Sequence, residues 1–199
     1  MYMEKVILAS ASPRRKELLE QLIGNRFEIC ASSYGEELLE GLSPEELALH
    51  HSREKAMGVA PRFPEALIIS ADTFVICDGD ILGKPSSESN AKETLRKISG
   101  RVIKVVTGVT LLDTRRGVEI SEHETTRVFM KSLRQEEIDS YVRTGEPFGK
   151  AGAFAIQGKG ALFTERIEGD YFNVVGLPLF RLGKMLEKIH ADDILWNWE

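Results

Sequence analysis

The twelve residues from Ala66 to Cys77 read Ala-Leu-Ile-Ile-Ser-Ala-Asp-Thr-Phe-Val-Ile-Cys, apolar on both sides of a short polar step. Residues of a strand alternate between two faces, so a near-continuous apolar run requires both faces to be covered. A strand of this kind belongs inside a sheet with helices packed on it. Asp72 stands in the middle of the run. A carboxylate in a central strand is costly unless it is paired, coordinates a metal or faces a cleft at a strand end. Asp72 is therefore a candidate functional residue. The competing reading makes it a turn former at a strand end; against that, apolar sequence resumes at once with Phe74-Val75-Ile76.

Strands and helices interleave along the rest of the chain. The patterns predict a strand over 5–10 and a helix to about residue 23, stopped by Gly24, then a second strand over Phe27–Ala31. Ser43-Pro44-Glu45-Glu46 is a capping box opening a helix to about residue 59. After the 66–77 strand come a turn at Asp78-Gly79, a helix over 87–98, and strands over 102–112 and 118–130 joined at Arg115-Arg116-Gly117. A short helix follows over 135–142. Gly145, Gly149, Gly152, Gly158, Gly160, Gly169 and Gly176 crowd the last third, a sign of backbone that approaches something closely. Strands are expected there over 161–167 and 171–175. A last helix follows Pro178, and the tail beyond His190, with Trp196 and Trp198, is expected to be poorly ordered unless its tryptophans pack.

Composition narrows the classes. A chain of 199 residues with 42% hydrophobic and 29% charged content can bury a sizeable core and reads as one domain over 1–199. No apolar run approaches a membrane span and the N-terminus lacks the pattern of a signal peptide, so the expected address is the cytoplasm, with no membrane partner. A net charge of -5 argues against a nucleic-acid surface and still permits a basic pocket for a small polyanion. Cys30 and Cys77 read as core thiols, and His50, His51, His123 and His190 as surface or core-edge residues without metal-ligand spacing. The charged stretch Glu119 to Arg127 reads as a solvated face.

Ser10-Ala11-Ser12-Pro13-Arg14-Arg15-Lys16 opens the first helix with the wrong charges. Ser12 is a good N-cap and Pro13 suits the first turn. The partial positive charge of a helix N-terminus favours acidic neighbours, yet three cations follow. Either the arginines are simply solvated, or an anion such as phosphate is held by backbone amides and guanidinium groups. Further cations stand in Gly83-Lys84-Pro85, at Lys55 beside the apolar face of its helix, and at Lys150, which opens Lys150-Ala151-Gly152-Ala153-Phe154-Ala155-Ile156-Gln157-Gly158. The amide of Gln157 can donate and accept, as a nucleobase edge requires. Each has a plainer reading: a snorkelling Lys55, a solvated Lys84, a glycine-rich hairpin. The P-loop, dinucleotide fingerprint and serine-hydrolase elbow are absent.

Taken together, Ser10–Arg15, Ala71-Asp72-Thr73, Gly83-Lys84-Pro85, Ser99-Gly100-Arg101, Lys150–Gly158 and Gly169-Asp170-Tyr171-Phe172-Asn173-Val174-Val175-Gly176-Leu177-Pro178 resemble the Maf family of nucleoside triphosphate pyrophosphatases in order and spacing. The glycine-rich block is the most specific part. The resemblance implies an α/β fold with a central mixed twisted sheet, flanking helices and two lobes around a deep cleft, shared with inosine triphosphatase-like enzymes. It implies a homodimer and a divalent metal cation, magnesium or manganese. The implied reaction is cleavage of a nucleoside triphosphate between the α and β phosphates, with Asp72 as the proton acceptor. Arg14, Thr73 and Gln157 match positions that set base specificity in the dTTP/UTP branch. Ser12, Arg15, Lys55, Lys84 and Lys150 match phosphate-binding positions, and Glu37, adjoined by Glu36, matches a metal-binding partner of Asp72. Phe154 stands where the branch commonly has tyrosine, which removes a hydroxyl and keeps the aromatic face. The branch also leaves room for modified pyrimidine nucleotides. The alternative from another class is a nucleotide-binding regulator of septum formation in cell division.

Overall fold

A computed structural model of the chain describes residues 5–37 and 39–196. The sheet runs β2-β1-β3-β5-β6-β7, with β4 paired to β3. Its strands are β1 (Lys5–Leu8), β2 (Glu28–Ile29), β3 (Ala66–Cys77), β4 (Asp80–Leu82), β5 (Val102–Asp113), β6 (Val118–Met130) and β7 (Thr164–Glu168). The helices are α1 (Pro13–Ile23), α2 (Pro44–Val59), α3 (Glu88–Ile98), α4 (Gln135–Arg143), α5 (Tyr171–Val175), α6 (Leu179–Lys188) and α7 (Asp193–Trp196). The mixed α/β fold with a central open sheet agrees with the sequence. Packing divides the chain into two compact units, one from Met1–Asp72, Thr107–Glu124 and Gly176–Glu199, the other from Thr73–Val106 and Thr125–Val175.

In the first unit β1 pairs in parallel with β2 and with β3. Parallel neighbours need crossovers, which α1 and α2 supply. Ser12 caps α1 and Ser43 with Glu46 forms the capping box of α2, so both predicted starts are realised. The core gathers Ile7, Ala9, Cys30, Ala56, Val59, Ala66, Ile68 and Leu112. Helix α2 presses its backbone against β5: a Cβ on Gly108 would lie 2.3 Å from the carbonyl carbon and oxygen of Ala48. Glycine is what allows that approach. Buried hydroxyls fix the register, Ser70 donating to the Ser52 carbonyl at 2.6 Å and Ser52 bonding Thr110 at 2.9 Å. These contacts lock α2 beside β3.

In the second unit β3 turns back into β4, and β6 pairs antiparallel with β7. Helices α3 and α4 pack together, and Val75, Leu95, Ile98, Ile103, Val128 and Phe163 are among the core residues. The residues 171–175, expected as a strand from their β-branched and aromatic content, form the short helix α5. Local capping overrides propensity there: Asp170 accepts from the Phe172 amide at 2.7 Å, and buried Asn173 donates to the Val105 carbonyl and to Thr126. The expected second strand shrinks to two residues. The tail also departs from expectation up to Trp196, since α7 forms, Leu195 is buried and Arg26 donates to the Ile194 carbonyl at 2.7 Å. Trp198 lies outside the described residues. Cys30 and Cys77 are buried free thiols, as read. The stretch from Glu119 to Arg127 is less of a solvated face than expected, because Arg181 pairs with Glu122 and Glu124 and Arg53 with Glu119. Among the described residues no helix is long and apolar enough to cross a membrane.

Candidate active site

Asp72 lies in β3, within the first unit. It is 5% exposed, and its Oδ1 accepts from the Lys55 ammonium at 2.5 Å. Its Oδ2 is buried with no hydrogen-bond partner among the described residues. A buried carboxylate oxygen of this kind is normally met by a donor, a water or an ion; Asp170 Oδ2 is a second one, and what distinguishes Asp72 is the lysine bound to its other oxygen. Lys55 reaches it from the last turns of α2, and the same ammonium lies 2.6 Å from Glu36. Lys55 therefore bridges a buried and an exposed carboxylate instead of snorkelling to solvent. Glu37, the residue expected to join Asp72, is exposed, and it is Glu36 that meets Lys55.

Tyr34, which the sequence did not single out, and His51, read there only as a surface or core-edge residue, steady this loop. The Tyr34 hydroxyl bonds Nδ1 of His51 at 3.0 Å, with the rings 5.5 Å apart. His51 is fully buried, deeper than the core-edge position read for it. Burial lowers its pKa from the ordinary value, against the opposing pull of Asp72. Burial raises the Tyr34 pKa, helped by Glu54, Glu37, Asp72 and Glu36. His51 and Lys55 lie four residues apart and so on one face of α2. That spacing was the available signal for His51.

The Ser10 to Arg15 segment is a fixed cationic corner. The Ser12 hydroxyl accepts from the Arg15 amide at 3.4 Å, and Ser10 Oγ accepts from the Ser12 amide and from Arg15 Nη1, each at 3.3 Å. Arg15 Nε donates to the Gly176 carbonyl at 2.9 Å. Burial lowers the Arg15 pKa from its usual value, Asp72 and Glu36 oppose the shift, and Arg14 adds to it. An arginine stays charged throughout. The first turn of α1 contains no acidic residue.

In the second unit the sequence candidates lie on β3 and on two loops. Thr73 is the residue after Asp72 in β3 and is half-buried. The Gly152 amide donates to the Gly83 carbonyl at 3.3 Å, which brings the Gly83-Lys84-Pro85 loop onto the segment opened by Lys150. Ala153 N returns to the Lys150 carbonyl at 3.1 Å, and Gly152 has a φ of 68°, the positive value that a type II turn reserves for glycine at its third position. Gln157 is exposed at the tip of the next turn. The glycine-rich segment is thus built from short 3-10 turns, not from the hairpin considered.

Asp72 Oδ2 is suited to a hard cation. Magnesium is typically held by one or two carboxylates together with substrate phosphates, so the absence of a three-residue ligand cluster among the described residues does not conflict with it. The donors here are oxygens, as magnesium and manganese prefer.

Residues 5–189 match the family described as Maf-like protein. A relative from Methanococcoides burtonii, named dTTP/UTP pyrophosphatase, is 60% identical over 94% of this chain and 96% of its own length. Relatives with the same name from Methanosarcina barkeri and Clostridioides difficile are 59% and 44% identical, covering 94% and 96% of this chain and 94% and 98% of their own.

Proposed function

From its membership of the Maf family, to which this chain belongs, we propose that it is a nucleoside triphosphate pyrophosphatase acting on dTTP and UTP and releasing the nucleoside monophosphate and pyrophosphate. The observation that carries the chemistry is Asp72, buried, held at Oδ1 by Lys55 and without a hydrogen-bond partner at Oδ2 among the described residues. Asp72 takes the proton of the water that attacks the α phosphorus. The new bond joins water oxygen to that phosphorus, and the bond broken is the α-β anhydride, whose electrons leave on pyrophosphate. Lys55 orients the carboxylate and offsets its charge. Ser12, Arg15, Lys84 and Lys150 bind phosphate oxygens, with guanidinium and ammonium groups meeting charge where it develops.

Asp72 would hold a divalent cation, magnesium or manganese, together with Glu37 or its neighbour Glu36. The bound cation supplies neutralisation of phosphate charge and lowers the pKa of nearby water. Arg14, Thr73 and Gln157 read the base: the Gln157 amide can donate to a carbonyl and accept from an N–H on one pyrimidine edge. A cytoplasmic homodimer completes the proposal. The regulatory reading is not favoured, since the curated relatives carry the name of an enzyme. The test incubates the protein with magnesium and dTTP, UTP, CTP, GTP or 7-methyl-GTP and identifies the product. Pyrophosphate from dTTP and UTP is expected, and Asp72→Asn is expected to lower its release by about a hundredfold or more with the fold retained. Orthophosphate as the product, or an Asp72→Asn variant with most of its rate, would overturn the mechanism.

A further inference from the structure

Both ends of the turn that carries Gln157 are tied to a pair of side chains to which the proposed chemistry gives no role. The Glu146 carboxylate accepts from the Tyr141 hydroxyl at 2.9 Å and the Gly160 amide at 3.0 Å on Oε1, and from the Lys159 amide at 3.1 Å on Oε2. The Tyr141 hydroxyl in turn accepts from the Ala155 amide at 3.0 Å. Ala155 enters the turn, and Lys159 and Gly160 leave it. The three residues between them, Ile156, Gln157 and Gly158, are the tip.

The glycines of Gly158-Lys159-Gly160 are explained by this clamp. A Cβ at 158 would lie 2.5 Å from the Glu146 carboxylate, and one at 160 would lie 2.7 Å from the Ala155 carbonyl and 2.8 Å from the Tyr141 hydroxyl. The clamp is itself anchored. Tyr141 is 4% exposed and meets Phe163 edge-on at 4.8 Å, and the Glu146 amide is held by Thr144 Oγ1 at 3.2 Å. Burial of Glu146 opposes its ionisation, yet the Gly160 and Lys159 amides and the Tyr141 hydroxyl outweigh that cost and lower its pKa. An ionised acceptor makes the stronger hydrogen bonds. The arrangement ties down the base of the exposed tip that carries Gln157.

We propose that Glu146, acting with Tyr141, is a positioning residue that aims Gln157 and so sets the pyrimidine selectivity of the enzyme. The proposal rests on Gln157 reading the base. Glutamine at 146 keeps the size of the side chain but replaces one acceptor oxygen with an NH2 group, which faces another donor and opens one limb of the turn. A brace with a purely structural role would change stability and leave the choice of nucleotide alone.

The test measures kcat and KM for dTTP, UTP, CTP and GTP with the full-length protein and the variants Glu146→Gln, Tyr141→Phe, Gln157→Ala and Glu146→Gln/Gln157→Ala. Each is assayed at a temperature where circular dichroism shows it folded. The expected result for Glu146→Gln is a fall in the dTTP-to-GTP ratio of kcat/KM of roughly tenfold, the scale of one lost hydrogen bond, carried by KM. The double variant is expected to be no less selective than Gln157→Ala. If Glu146→Gln does not fold, Tyr141→Phe, which keeps the ring, decides in the same direction. Selectivity lost in Gln157→Ala but unchanged in Glu146→Gln and Tyr141→Phe overturns the positioning role alone. A further loss when Glu146→Gln is added to Gln157→Ala overturns action through Gln157. Selectivity unchanged in Gln157→Ala removes the base-reading role, and this proposal with it.

Discussion

Replacing Lys55 by Met separates the two carboxylates that share its ammonium. Methionine keeps most of the apolar stem of the lysine and removes the charge. Asp72 and Glu36 lie 2.5 and 2.6 Å from Nζ, so distance alone would make the two pairs nearly equal. Burial separates them: the Asp72 side chain is 7% exposed and that of Glu36 42%. At 2.5 Å and an effective dielectric constant of about 20, the attraction between Lys55 and Asp72 is about 7 kcal/mol before desolvation is subtracted, a ceiling on the loss. Removing one partner of a buried pair costs about 3–5 kcal/mol, because the other charge remains buried and uncompensated. The exposed Glu36 pair is worth about 1 kcal/mol or less. Lys55→Met is therefore expected to lose about 3–5 kcal/mol and Glu36→Gln under about 1, while Asp72→Asn lies between because Lys55 keeps Glu36. The double variant Lys55→Met/Asp72→Asn should recover a large part of the Lys55→Met loss. Urea unfolding followed by circular dichroism reads the order, with a midpoint drop of roughly 1–2.5 M for Lys55→Met at a slope of about 2–3 kcal/mol per M. A Lys55→Met loss below about 1 kcal/mol, or a double variant no more stable than Lys55→Met, would refute the reasoning.

The remaining predictions concern packing, acid stability and metal. Gly108→Ala is expected to cost about 3 kcal/mol or more, since its Cβ would meet rigid backbone of α2, and to lower turnover by moving Lys55 away from Asp72; urea unfolding and pyrophosphate release measure both. Lys131, the Arg134 amide and the Arg134 side chain lower the Glu137 pKa to about 2. A depressed carboxyl stabilises the fold above its ordinary value of 4.5 and loses that contribution as pH falls through about 2. Glu137→Gln should thus flatten the dependence of melting temperature on pH below 4.5 and leave it unchanged near neutrality. Chelation of divalent cations is expected to abolish pyrophosphate release, with full recovery on adding magnesium and no loss of helical circular dichroism.

Much of the fold was legible because its signals are local. The β3 run and the starts of α1 and α2 lie where apolar periodicity and capping chemistry put them. The 171–175 helix was misread for a physical reason: Tyr-Phe-Asn-Val-Val favours a strand, and the deciding bonds run from Asp170 to Phe172 and from Asn173 to distant Val105 and Thr126. Asp72 was legible from the cost of a charge in an apolar strand. Its pairing with Lys55, which also meets Glu36, was not, because nothing in the sequence measures a contact across 17 residues. Glu146 had a usable signal, since Gly145-Glu146-Pro147 repeats the Gly-Lys-Pro frame that drew attention to Lys84. A carboxylate draws less notice than a lysine when phosphate is being sought.

The mismatch of charge at the start of α1 resolves into a statement about preorganisation. Three cations beside a helix N-terminus suggested an anion, with solvated arginines as the competing reading. Arg15 is half-buried, and its Nε and Nη1 are bonded to the Gly176 carbonyl and the Ser10 hydroxyl. Both of these partners are neutral oxygens, and they fix the guanidinium plane while the carboxylates of Asp72 and Glu36 act on its charge. A solvated arginine would have to be ordered when phosphate arrives, at a cost in side-chain entropy; this one is held in advance. Lys55 does the same for the opposite sign by fixing one oxygen of Asp72 and leaving the other without a hydrogen-bond partner among the described residues. Charges held before the reaction need no reorganisation during it, which is how polar sites lower a barrier.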